Sequence, residues 1–88
     1  MSTYEKIIAI IRKLSGKTEI HMSDSLIDDI GLDSLNMVYL LLDVENTFEF
    51  ELKESDMNPF DLKMVSDVIR LVERYINDIS ITKNEKIG

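Results

Sequence analysis

The sequence predicts an all-α protein, a small four-helix bundle of three longer helices and one short one, with a long loop between the first and second helices. Three observations carry that expectation. Apolar residues recur at spacings of three and four in three separate stretches, the period of a helix with one buried face. Glycine and proline, present in three copies and one, fall outside those stretches. The strongest strand signal, the alternation "FEFEL" at 48–52, is one short run with no second strand to pair with.

The first helix is expected from Tyr4, Ile7, Ile8, Ile11 and Leu14, with Ser2 or Thr3 as its cap and Gly16 as its end. Residues 17–33 are rich in Ser, Asp and Gly and lack periodicity, yet Leu26, Ile27, Ile30 and Leu32 are apolar enough to pin a long loop to the core. The second helix should run from Ser34 to Phe48, burying Met37, Leu40, Leu41, Val44 and Phe48. A short helical element is expected at Glu54 to Met57, before Asn58-Pro59 interrupts the chain. The last helix should bury Val65, Val68, Ile69, Val72 and Ile76, with Asp67, Arg70, Glu73 and Arg74 mainly opposite. After Ile79 the segment "SITKNEKIG" loses the pattern, so the expectation is a single domain over residues 1–79 with a frayed tail at 80–88.

Composition narrows the function. The 88 residues contain no cysteine, which removes disulfides and thiolate metal sites. A chain this short is also too small to wall off a deep active site of its own. No apolar run approaches a membrane span and no cleavage pattern opens the chain, so a soluble cytoplasmic monomer without membrane insertion is expected. The formal charge of −7 is unevenly spread: residues 24–61 hold eleven carboxylates against one lysine. That concentration argues against binding nucleic acid and for partners with basic docking faces.

Familiar enzymatic and binding motifs fail on inventory. His21 is the only histidine, and "GLDSL" lacks the second glycine of a serine-hydrolase elbow. Aligning Gly31 of "DSLIDDIG" with the glycine of a calcium loop puts Leu26 at the first ligand position. No glycine-rich phosphate cradle exists, and no metal site is expected.

Ser34 is the residue that stands out. Asp and Ser are favoured at helix starts, so "DS" before an apolar run is explained by capping alone. A serine there also projects from a surface corner, where a phosphate on its hydroxyl would meet free backbone amides and the positive end of the helix dipole. The second helix has more apolar residues than one buried face can use. Leu35, Val38 and Leu42 form a second stripe, bordered by Asn36, Tyr39, Glu45 and Asn46, that reads as a docking patch.

The segment "SLIDDIGLDSLNMVYLLLDVENTFEFEL", together with "MVSDVIRLVERYI" near the end, resembles the acyl carrier protein family across about three quarters of the chain. The resemblance implies that Ser34 is the covalent attachment point of 4′-phosphopantetheine, taken from coenzyme A, and that Asp33 is read by the phosphopantetheinyl transferase. It further implies a carrier without catalytic activity of its own. Intermediates would ride as thioesters to acyl-loading, condensing or transferase enzymes, whether in fatty acid, polyketide or other lipid metabolism or in aminoacyl transfer. Where housekeeping fatty acid carriers commonly have acidic residues, this sequence has Asn36 and Tyr39, which favours a dedicated pathway. The alternative reading is a non-covalent acidic helical interaction module that is never modified.

Overall fold

The computed structural model describes the backbone of residues 2–87 and the side chains of residues 2–78. Its helices are α1 (Thr3–Ser15), α2 (Ser34–Phe48) and α3 (Val65–Ile87). The expected frayed tail at 80–88 lies outside the residues whose side chains are described.

Each helix boundary has a local cause. The Ser2 hydroxyl accepts from the Glu5 N–H and opens α1. Gly16, at φ +77°, closes it by turning left-handed and donating its N–H to the Arg12 carbonyl, a conformation open to glycine because it lacks a Cβ. At the start of α3 both the Lys63 and Met64 N–H groups donate to Asp67 Oδ2, each at 3.0 Å. These donors, Met64 first, hold the Asp67 carboxyl below its ordinary 3.8, with Lys63 and the Arg70 charge adding to the effect and partial burial opposing it. The C-cap of α2 is Glu49, at φ +56° and left-handed although it is not glycine.

The short fourth helix expected at Glu54 to Met57 is a single 3-10 turn and not an α-helix. Residues 49–64 instead form a strap containing two single 3-10 turns, Glu54–Asp56 and Pro59–Asp61. A run of "ESDMNPF" offers too few residues before Pro59 for an α-helical turn to propagate, since nucleation is costly and proline cannot donate to the preceding turn.

The core divides in two. Ile7, Ile8, Ile10 and Ile11 of α1 pack with Met37, Leu40 and Val44 of α2 and with Val65, Val68, Ile69 and Val72 of α3, while Ile20, Leu26, Ile30 and Leu32 enter from the loop. Leu41 belongs to a second, smaller cluster with Leu52, Leu71 and Tyr75, under the strap. Three sequence expectations are corrected by this packing. Tyr4, in the first turn of α1, is exposed where the periodic pattern placed it inside. Ile27 is exposed at 47%, because the loop turns between Leu26 and Ile30 and only those two side chains face inward. Phe48 is half-buried, packed on the edge of the main cluster with the Lys6 ammonium 5.5 Å from its ring centre.

The long loop is fixed by backbone pairing that periodicity cannot show. Leu26 N–H donates to the Lys63 carbonyl, Val65 N–H to that of Asp24, and Ser66 N–H to that of Met22. This short antiparallel crossing, with its bridge at Ser25 and Met64, binds the loop to the entry of α3 and so places its exit, Asp33, at the corner where α2 begins.

Candidate functional site

The corner is built from the loop inward. Buried Leu32 anchors the chain, Gly31 takes φ +84°, and Asp33 then caps α2. Its Oδ1 accepts from the Asn36 N–H at 2.8 Å and its carbonyl accepts from Met37 at 2.9 Å. The capping that the sequence left open between Asp33 and Ser34 therefore falls to Asp33. Ser34 becomes the first residue inside the helix, exposed to solvent. Its hydroxyl makes no hydrogen bond to any described residue.

A phosphodiester on that oxygen fits the surroundings. No acidic residue lies in the first turn of α2. The helix N-terminus contributes partial positive charge there, and first-turn amides lack intrahelical acceptors, as at any helix start. The carboxylate of Asp33, the preceding residue, has its Oδ1 occupied by the cap.

Leu35, Val38, Tyr39 and Leu42 are all exposed, Leu35 at 60%. Three of them share the spacing of one helix face, and Tyr39 widens it. Asn36, half-buried, lies at the rim. Glu45 is partly withdrawn from this face: its Oε2 accepts from the Leu52 N–H at 2.8 Å and its carbonyl accepts from Glu49, which ties the strap to the end of α2. Asp43, the other α2 carboxylate, pairs with Lys13 of α1 at 3.2 Å. Both acidic groups of α2 are thus engaged within the fold, and the face beside Ser34 is apolar and aromatic.

Sequence reasoning passed over further exposed apolar side chains, Met57 and Phe60 of the strap and Met22 and Met64 of the loop crossing. The second 3-10 turn packs on α2, which brings Phe60 to its flank. The available signal was Phe60 directly after Pro59, an aromatic in a segment without a periodic face to bury it. Among the described residues no cluster of His, Asp or Glu is arranged to hold a metal ion.

Comparison with known proteins places the chain in a family. The phosphopantetheine attachment site family matches residues 5–72. An acyl carrier protein of Clostridium acetobutylicum is 32% identical over 77 residues, spanning 85% of this chain and 97% of its own. One from Clostridium perfringens is 36% identical over 74 residues, spanning 82% and 95%. A solved candidate acyl carrier protein from Mycobacterium tuberculosis matches with a TM-score of 0.76 at 28% identity, covering 84% of this chain and 99% of that one. The family match over most of its length, with relatives covered almost from end to end, shows that the chain belongs to the acyl carrier proteins, with a phosphopantetheine attachment domain.

Proposed function

We propose that Ser34 Oγ carries 4′-phosphopantetheine and that the protein presents acyl or related thioesters on this arm to partner enzymes. The observation that carries the reading is the division of labour at the start of α2: Asp33 does the capping, so the Ser34 hydroxyl is exposed and uncommitted at a helix N-terminus. Once attached, the arm supplies the thiol that this cysteine-free chain lacks. The protein's own residues do no bond-making chemistry; they position the root of the arm and offer a surface to be recognised.

Asp33 serves the phosphopantetheinyl transferase as a recognition carboxylate beside the acceptor hydroxyl. Leu35, Val38, Tyr39 and Leu42, rimmed by Asn36, form the docking face for the transferase and for acyl-loading, condensing or acyl-transferring enzymes, with Glu45 at its far edge. Because both α2 carboxylates are engaged internally, partners gain from α2 mainly by covering apolar and aromatic surface. This favours a partner with a fitted apolar socket and a dedicated lipid, polyketide or aminoacyl pathway. The acidic strap and loop add steering toward basic faces. No helix among the described residues is long and apolar enough to cross a membrane, and the reading is of a monomer working in the cytoplasm.

Intact-mass measurement after incubation with coenzyme A, magnesium and a broad-specificity transferase tests this. The wild-type chain should gain one phosphopantetheinyl group and the Ser34→Ala chain none. A wild-type chain that gains nothing would instead be the unmodified interaction module, and loading that survives Ser34→Ala would overturn the site.

A further inference from the structure

On the flank of the bundle where α1 meets the C-terminal half of α2, Lys6, Ala9, Ile10 and Lys13 of α1 and Thr47 of α2 line an open groove of about 240 Å³. Its floor is mostly carbon, and its two ends are ammonium groups. Lys6 is held with its ammonium over the Phe48 ring, and Lys13 stands over Asp43 with its side chain 68% exposed. Ala9, the only alanine in the chain, sits exposed between them. A larger side chain there would fill the groove, so the small residue keeps its floor within reach of a partner. The helix adds Arg12, whose Nε donates to the Thr18 carbonyl, and carries Glu5 as its one carboxylate.

This flank differs in charge from the acidic middle of the chain. Residues 24–61 carry a balance of −10, while α1 carries three cations and one carboxylate, and the Asp43 carboxylate at the groove is paired with Lys13. An acidic partner surface is repelled by the strap and the loop and accepted along α1. Lys6 and Lys13 lie seven residues apart, two helical turns or about 10 Å, so two carboxylates two turns apart on a partner helix, with an apolar side chain between them, match both ammoniums and the floor.

We propose that this groove is a second docking surface that takes an acidic amphipathic helix of a partner protein, separate from the face beside Ser34. It engages the carrier without covering the root of the arm, and it does not depend on modification of Ser34.

The probe is a synthetic capped helical peptide of ~14 residues, about four turns, bearing Glu two turns apart around a central Leu, with a second peptide carrying Lys in place of Glu. Each is titrated into isotope-labelled Ser34→Ala protein up to about 1 mM, the weak end of specific binding, while amide chemical shifts are followed. The acidic peptide should shift the amides of Lys6, Ala9, Ile10, Lys13 and Thr47, and its binding should weaken with added salt. The Ala9→Glu protein, altered at an exposed helix position, should bind it about tenfold or more weakly, a loss of roughly 1.4 kcal/mol. The proposal is overturned if the Lys peptide binds equally well, if the shifts fall on Leu35 to Leu42 instead, or if no saturable shift appears. It is also overturned if anionic phospholipid vesicles shift the groove amides while the acidic peptide does not, since the surface would then belong to membranes.

Discussion

Asp33 and Ser34 are adjacent but have separable roles, and substitution should separate them. Ser34→Ala removes an exposed hydroxyl with no partner, so phosphopantetheinylation should vanish while the denaturant midpoint moves by no more than ~0.5 kcal/mol equivalent, the range of ordinary surface changes. Asp33→Ala removes the cap and should cost about 0.5–2 kcal/mol. Mass spectrometry and denaturant unfolding of the two variants check this; equal stability losses would mean that Ser34 shares the capping. Glu49 offers a test in the opposite direction. A side chain in the left-handed region carries a penalty of about 1–2 kcal/mol that glycine escapes, so Glu49→Gly should raise the unfolding midpoint, with part of the gain offset by glycine's greater freedom in the unfolded chain.

At the scale of elements, α2 and the strap respond to different insults. Leu42 is exposed on the proposed docking face, so Leu42→Asp should leave the fold intact and slow transferase loading at low and high salt alike, because it places a charge in an apolar contact. Loading rates equal to wild type would remove this face from recognition. The strap hangs on Tyr75, which stacks on Phe50 with ring centres 5.0 Å apart. The Tyr75 hydroxyl donates to Asp56 Oδ2 at 2.5 Å and accepts from the Lys53 N–H at 2.8 Å. Arg74 reaches Asp56 Oδ1 at 3.3 Å. Tyr75→Phe keeps the ring but leaves the Lys53 N–H without its acceptor and Asp56 with Arg74 alone, a loss of about 1–3 kcal/mol. Amide exchange should then quicken at Lys53 and leave Ile8 and Ile11 at the wild-type rate or nearer to it.

The same phenol gives the whole molecule a dependence on alkaline pH. Burial, followed by the hydrogen bond to Asp56, raises Tyr75 above its ordinary 10.0. The folded state therefore holds this proton more tightly than the unfolded chain. Its contribution to stability is complete below pH 10.0 and is lost as pH rises through the raised value. The alkaline absorbance titration of wild type minus that of Tyr75→Phe should show one phenol with a midpoint above 10.0. Acid works the other way at Asp67: its lowered pKa contributes stability above 3.8 that disappears as pH falls through the folded value, so Asp67→Asn should flatten that part of the stability curve. The two groups fasten the two ends of the strap, Asp67 at Lys63 and Met64 by the entry to α3 and Tyr75 at Lys53 and Asp56, so each pH extreme first loosens a junction outside the helix-packed core.

The sequence by itself determined α2 to its boundaries, most of the three buried faces and the corner at Asp33-Ser34. These depend on local chemistry: a period of three and four, residue types that cap helices, and a glycine where the chain must turn left-handed. It also showed that α2 had apolar residues to spare, which the structure places in solvent at Leu35, Val38 and Leu42. Only the tertiary structure decided which of Asp33 and Ser34 caps the helix, since either residue type is competent. Only the tertiary structure turned Ile27 outward and Ile10 inward, replaced the expected fourth helix with a strap, and engaged Glu45 and Asp43 within the fold. The strap, the loop and the Asp43 pair rest on contacts between residues far apart in the chain, such as Tyr75 with Asp56 and Lys63 with Leu26, where no spacing in the sequence records the distance.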